Sequence, residues 1–277
     1  MATQEERAQR FLALHHGDSP LLIPNAWDRG SARLLAFLGF EALATTSSGH
    51  AATLGRLDGQ VSRDEALAHA ADLVAATDLP VSADLEHGFA DEPDAVASTI
   101  GLAVGAGLAG ASVEDSTGRR ADEPIFDAAQ ARDRVAAAAS AAHDGPVRVV
   151  LTARAENHLH GRSDLADTIA RLQSYQEAGA DVLYAPGVTA PEDIRALVSA
   201  VDRPVNVLAL PGCPSVDELA ELGVSRVSVG GAFAFAALGA VVEAARELRE
   251  DGTYGYWSHA GLGSKTVKQA FGSAPPG

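Results

Sequence analysis

The stretch VSADLEHGFADEP, residues 81 to 93, passes from apolar residues into acids, a histidine and a glycine. Asp84 and Glu86 stand two residues apart, where a strand-like run meets a loop. If extended backbone continues through Glu86, both carboxylates project to the same side. Like charges on one face repel, so the pair needs a counter-charge. Asp58 in GRLDGQ and Glu114 in ASVED follow neighbouring strand-like runs, and Arg154 closes VRVVLTAR. Several carboxylates converging with one arginine suit a hard divalent cation, and an oxygen-only donor set favours Mg2+ or Mn2+ over Zn2+. The candidate metal ligands are therefore Asp84, Asp58, Glu86 and Glu114. For any one of these acids the alternative is a helix cap, because acids stabilise helix starts.

A cation opposite these acids has two uses, and they are compatible. Arg154 either clamps a substrate carboxylate in a bidentate pair or forms a structural ion pair with Glu114 or Glu156. The segment TTSSGHA offers the hydroxyls of Thr46, Ser47 and Ser48 to a carboxylate or phosphonate oxygen, or is simply a serine-rich turn. His50 and His87 lie close enough in sequence to these positions to transfer protons. His158 and His160 have H-x-H spacing without a third ligand in register, which suits a solvated loop better than zinc. The single cysteine, Cys213, excludes an internal disulfide.

Elements that could position such residues recur along the chain. In LGFEALATT, AGLAGASVE, AGADVLYAP and LGVSRVSVG a helical pattern ends at glycine and an apolar strand follows. PVSAD, PVRVVLTAR, PVNVLAL and LLIPN bring the number of strands to eight. Alanine-rich helical stretches separate them, one opened by Ser62 and Glu65 in capping-box spacing. Strands apolar throughout and alternating with helices predict a parallel sheet covered by helices. Eight such units predict a single-domain (β/α)8 TIM barrel over residues 1–277, with residues 249–277 as a C-terminal helical extension. Barrel active sites form at the C-terminal strand ends, which is where Trp27, Thr46, Asp84, Glu114, Arg154 and Asn206 fall. GAGLAG has dinucleotide-fingerprint spacing, but a helix precedes it and a strand follows, so its glycines serve helix termination and close packing.

Composition narrows the partners. The formal charge of -16 disfavours nucleic acid and anionic membrane surfaces. The N-terminal MATQEERAQRFLALHHGD reads as an amphipathic helix and not a signal peptide, which predicts a cytoplasmic protein. VSVGGAFAFAALGAVV is too short and too rich in Ala and Gly for a membrane span, and reads as a strand feeding a buried helix.

Taken together, IPNAWDRGSARLL, TTSSGHAATLGRLDGQ, VSADLEHGFA, ASVEDS, LTARAEN and RVSVGG resemble, in order, the isocitrate lyase and phosphoenolpyruvate mutase superfamily. The resemblance implies a Mg2+-dependent barrel enzyme acting on small 2-oxo acids or their precursors through an enolate. It makes Asp84 the direct metal ligand, with Asp58, Glu86 and Glu114 acting largely through water. Asp58, Glu114 and Arg154 become the catalytic candidates, and Trp27, Thr46, Ser47, Ser48, Arg154 and Asn206 the substrate-binding ones. It also implies homo-oligomers, dimers or tetramers, that exchange a terminal helix.

Two departures bear on the reaction. The segment EDSTGRRADEPIFD lacks the K-[KR]-C-G-H loop of the lyases, and LYAPG lacks the mutases' histidine after the sixth strand. The metal and anion pocket survive, so a lyase or decarboxylase acting on a C-C bond is the first expectation. Phosphonate P-C bond chemistry and non-catalytic binding of 2-oxo acids are the alternatives. Residues 115–127 read as a mobile lid that brings Arg119 or Arg120 onto a bound carboxylate or phosphonate.

Overall fold

The computed structural model describes residues 2–118 and 122–272. Nine parallel strands form one sheet: β1 (Leu21–Ile23), β2 (Asn25–Ala26), β3 (Leu43–Thr45), β4 (Val81–Asp84), β5 (Gly110–Glu114), β6 (Val150–Arg154), β7 (Val182–Tyr184), β8 (Val205–Leu208) and β9 (Arg226–Ser228). β1 pairs with β9 and β2 with β3. Only Pro24 separates β1 from β2, so the two short strands form one stave of an eight-stave barrel. Proline has no N–H to give to the ladder. Its carbonyl still accepts from the Ala44 N–H at 3.0 Å. Asn25 holds the seam: its side-chain amide donates to the Thr45 carbonyl at 2.7 Å, and its Oδ1 accepts from the N–H groups of Val229 and Gly230 at 3.1 and 2.9 Å.

The eight strand positions expected from the sequence all appear, and so do their punctuation marks. Ser62 and Glu65 form a reciprocal capping box at the start of the helix Arg63–Val74. Gly107, with φ at +88°, ends the helix Pro93–Gly105, a conformation that side chains other than glycine rarely adopt. Gly110 opens β5 under Phe11, whose ring lies 2.7 Å from where a Cβ would stand. GAGLAG thus terminates a helix and admits a ring, as its context predicts. Phe11 belongs to the N-terminal helix Gln4–Leu14, which lies against β6 and donates from Gln4 to the carbonyls of Val104 and Leu108. That helix covers the N-terminal end of the barrel, leaving the C-terminal strand ends for chemistry.

Two expectations need correction. β4 ends at Asp84, and Glu86 lies in the left-handed region with φ at +49°. Extended backbone therefore does not carry Asp84 and Glu86 to the same side; a turn brings them together. The helix after β9, Ala232–Arg246, is not buried among the described residues. Phe233, Phe235, Leu238, Val241 and Val242 are exposed, and Ala234 is the helix's one buried residue. The following helix, Trp257–Gly272, returns to the helix Arg29–Phe37, where the Arg33 guanidinium lies 5.0 Å from the centre of the Phe271 ring. No helix among the described residues is long and apolar enough to cross a membrane.

Candidate active site

Strand register builds the centre of the site. β4, β5 and β6 lie side by side, with Asp84 opposite Ser112 and Glu114 opposite Arg154. Arg154 is drawn into three ion pairs: Nη1 to Asp84 Oδ1 at 2.9 Å, Nη2 to Glu114 Oε2 at 3.1 Å and Nε to Glu156 Oε1 at 2.9 Å. Its guanidinium also stands 5.2 Å from the centre of the Tyr184 ring. Burial opposes charge on Arg154, but Glu156, Glu114 and Asp84 outweigh it and hold the arginine well above its ordinary pKa. Burial pushes Glu114 well above the usual carboxylate range; Arg154 pulls it down, while Glu156, Asp84 and Glu86 push it further up. Glu156 is raised for the same leading reason. One guanidinium does not neutralise three carboxylates. All three ion pairs engage the guanidinium, so an anion reaching Arg154 would have to share it with these carboxylates.

A second network holds this centre from behind. Asp115 is almost fully buried; its Oδ1 accepts from the Glu156 N–H at 2.8 Å. Its Oδ2 accepts from Arg171 Nη1 at 2.9 Å and from the Tyr175 hydroxyl at 2.7 Å. Arg171 also donates to the carbonyl of Phe126 and pairs with Asp167, to which the Asn157 amide donates. The same contacts tie down both ends of the expected lid. Ser116 bridges Ile125, and Thr117 bonds the backbone of Pro124 and Glu123. Asp115, Ser116, Thr117, Ile125 and Phe126 are all buried, so both ends of the segment are packed into the fold. Arg119 and Arg120, the expected lid cations, lie outside the described residues.

A cavity of about 150 Å3 opens beside the cluster. Thr46, Ser47, Ser48, Asp58, Asp84, Arg154 and Asn206 line it, so most of the predicted site residues meet there. An adjoining cleft is lined by Ser47, Asp58, Glu86, Glu114 and Arg154. Ser47 N–H donates to Asp84 Oδ2 at 3.3 Å, and Thr46 caps the short helix Ser47–Thr53 through the Gly49 N–H. Asp58 is exposed at the rim and accepts from the Gly59 N–H. Trp27 is not in the wall of either space; its N–H donates to Ser31 at the start of the helix Arg29–Phe37, and its Cβ packs beside Gly49. Among the described residues no three His, Cys, Asp or Glu side chains are gathered closely enough to hold a metal ion directly.

The sequence reading missed Ser82, Ser112, Ser228 and Arg226, which line the cavity from inside the barrel. Their signal was available. Ser82 and Asp84, Ser112 and Glu114, and Arg226 and Ser228 alternate with apolar residues at the period of a strand.

Behind Ser47 and Asp84, the rings of His50 and His69 stack at 3.7 Å. Burial keeps His69 neutral, its pKa pushed down to about 4, and the charge on His50 would push it the same way. Below the ordinary histidine pKa the unfolded chain gains a proton that the native imidazole refuses, so stability is lost as pH falls from about 6.5 toward 4. Replacing His69 with Phe should flatten this acid limb by up to about 1 kcal/mol per pH unit. Urea unfolding at several pH values checks it, and an unchanged slope contradicts a buried neutral His69.

Residues 11–249 match the family model described as phosphoenolpyruvate phosphomutase. An uncharacterised protein of Mycobacterium tuberculosis is 36% identical over 242 residues, covering 87% of this chain and 89% of that protein. An oxaloacetate decarboxylase of Pseudomonas savastanoi pv. phaseolicola is 27% identical, covering 90% of this chain and 87% of its own. Among solved structures, a Burkholderia cenocepacia J2315 protein provisionally described as a lyase/mutase is 54% identical, with a TM-score of 0.94 and 98% of each chain covered. A 2,3-dimethylmalate lyase is 26% identical, with a TM-score of 0.81, over 99% of this chain and 100% of that one. With its barrel, its strand-end acids and the match across residues 11–249, the chain belongs to the phosphoenolpyruvate phosphomutase family, within the isocitrate lyase and phosphoenolpyruvate mutase superfamily.

Proposed function

We propose that this protein is a Mg2+-dependent lyase or decarboxylase that breaks a C-C bond in a small 2-oxo or 2-hydroxy carboxylic acid. The observation that carries the reading is the excess of carboxylate over guanidinium around Arg154, at the mouth of a cavity lined with hydroxyl groups. Its donor chemistry fits Mg2+. Every candidate ligand is an oxygen, the acids crowd one another, and Mg2+ characteristically keeps several waters and takes only one or two carboxylates directly. Asp84 would hold the ion, with Asp58, Glu86 and Glu114 around it. When bound, the ion supplies a Lewis acid for negative charge developing on a substrate oxygen.

The chain's own residues do the rest. Arg154, kept charged by its carboxylates, receives the substrate carboxylate, and its hold on Glu114 and Asp84 slackens as it does so. Thr46, Ser47 and Ser48 offer hydroxyl protons to substrate oxygens, and Asn206 orients the far side of the cavity. In a 2-oxo acid the electron pair of the broken C-C bond moves toward the 2-oxo group, and the carbon left behind takes a proton from water at the solvent rim beside Asp58. In a 2-hydroxy acid the hydroxyl proton passes to a carboxylate, for which Asp58 is placed, and the pair moves to the departing carbon, which is then protonated from the same rim. Glu114, driven toward its protonated form by burial, holds a proton near the same centre. The named activities of the oxaloacetate decarboxylase and 2,3-dimethylmalate lyase relatives support C-C chemistry.

The exposed apolar face of Ala232–Arg246 supports a homo-oligomer in which this helix is covered by another copy. Light scattering at micromolar concentration should show a dimer or tetramer, and a monomer contradicts it. The activity is tested by screening pyruvate release from oxaloacetate, C4-substituted malates, methylisocitrate and phosphonopyruvate, with and without Mg2+. Mg2+-dependent turnover of a carboxylic acid without phosphate release is the expected result. Release of phosphate from phosphonopyruvate assigns P-C chemistry instead, and no turnover of any compound leaves a binding protein.

A further inference from the structure

Arg226 begins β9 deep in the barrel and is 5% exposed. Its Nε donates to Asn206 Oδ1 at 2.8 Å, and its Nη1 to Thr152 Oγ1 at 3.1 Å and to His15 Nε2 at 3.2 Å. All three acceptors are neutral. His15 Nδ1 lies 2.7 Å from the Phe11 carbonyl, which fixes the ring proton on Nδ1 and leaves Nε2 to accept. Burial, with Arg226 adding to it, pushes the His15 pKa down to about 3, so this imidazole stays uncharged. Nη2 of Arg226 has no hydrogen-bond partner among the described residues, and none of them places a carboxylate within ion-pair distance.

The other buried arginines are accommodated differently. Arg154 and Arg171 pair with carboxylates. Arg134 is enclosed by the carbonyls of His87, Ala90 and Glu114 and lies over the Phe126 ring. Arg226 alone among these four lines the cavity without a carboxylate partner. A buried charge without a counter-charge is costly, and burial accordingly lowers its pKa to about 10. Barrel interiors are ordinarily filled by bulky branched side chains. Here Ser82, Ser112, Asn206 and Ser228 line the same space, so one polar cavity reaches both Arg226 and the Asp84–Arg154 cluster.

We propose that Arg226 is a carboxylate-binding subsite at the floor of the cavity, and that it selects small dicarboxylates over monocarboxylates. The inference rests on the reading of the cavity mouth as the site for a 2-oxo or 2-hydroxy acid. A ligand held at the mouth by one carboxylate extends its second toward Nη2, where it meets the missing counter-charge. The acid-rich mouth and the acid-free floor thus divide the two ends of the substrate between them. The anion could be the second arm of one diacid or a separate small acid, and the two sources are distinguishable.

The test is calorimetric binding of malate and lactate, two 2-hydroxy acids that differ by one carboxylate, in saturating Mg2+. The wild-type protein should bind malate roughly tenfold or more tighter than lactate. Arg226→Gln and Arg226→Met should erase that preference, and Arg226→Lys should keep part of it. Because Arg226 also holds Asn206, the readout is the malate-to-lactate affinity ratio within each variant. The variants lose an uncompensated charge and also three buried hydrogen bonds, so the thermal readout is the melting-temperature shift by malate within each variant, and that extra stabilisation should disappear. Adding acetate separates the sources: acetate that strengthens lactate binding through Arg226 marks a second molecule, and malate preference without an acetate effect marks one diacid. Equal wild-type affinities for malate and lactate overturn the proposal and require no variant. A preference that survives in Arg226→Gln overturns it as well. Calorimetry reads binding alone, so a failed turnover screen leaves this result standing, and a failed malate preference leaves the lyase reading standing.

Discussion

A guanidinium surrounded by more carboxylate than it can neutralise is the constraint on which the rest of the site depends. Arg154 draws Asp84, Glu114 and Glu156 into contact across three adjacent strand ends. Burial already favours protons on Glu114 and Glu156, and without Arg154 these acids would be driven further that way or apart. Strand register makes the arrangement possible by setting Glu114 directly opposite Arg154. Behind it, Asp115 grips the Glu156 backbone while Arg171 and Tyr175 grip Asp115, so the position of one carboxylate is relayed from the helix Leu165–Glu177. The negative charge that remains is what the proposed Mg2+ would neutralise. Stability alone gives no reason to keep it.

The barrel interior continues the same theme with the opposite sign. Small polar side chains replace the usual branched ones, and the space they free has acids at one end and an unpaired arginine at the other. Both ends cost folding energy, and both become favourable when occupied by groups of complementary charge. A protein organised in this way should gain stability from ligand as well as recognise it. The apolar burden of the fold is carried elsewhere, by the layer between strands and helices, where Phe11, Leu73, Ile100, Leu151 and Leu172 are fully buried.

Much of this was legible in the sequence because local rules and the global fold agree. The strands, the Ser62 capping box and the helix-ending glycine at 107 each depend on a few neighbouring residues, and each formed as read. The acids of β4 and β5 and the arginine of β6 were found because barrel sites sit at strand ends. What failed depended on where the chain bends or what it touches. Glu86 adopts a left-handed backbone that no parity rule anticipates. Trp27 is absent from the cavity wall; its backbone N–H bonds Ser31 and its Cβ packs beside Gly49, contacts that strand-end position alone does not foretell. The helix Ala232–Arg246 has the composition of a buried helix, yet among the described residues its apolar face stays exposed apart from Ala234. Arg226 lies in a strand whose hydropathy hides it: Val227 makes the run look apolar, while the alternation of Arg226 with Ser228 marks an inward polar face.

The central claim is that the acids around Arg154 hold a divalent cation that in turn holds a carboxylic acid. Calorimetric titration of oxalate into the protein, with and without Mg2+ and in both wild type and Asp84→Ala, tests it most directly. Mg2+ should strengthen oxalate binding roughly tenfold or more in the wild type and have no effect in Asp84→Ala, with the helical circular dichroism unchanged. Oxalate binding that ignores Mg2+ in the wild type, or responds to it equally after Asp84 is removed, would contradict the account.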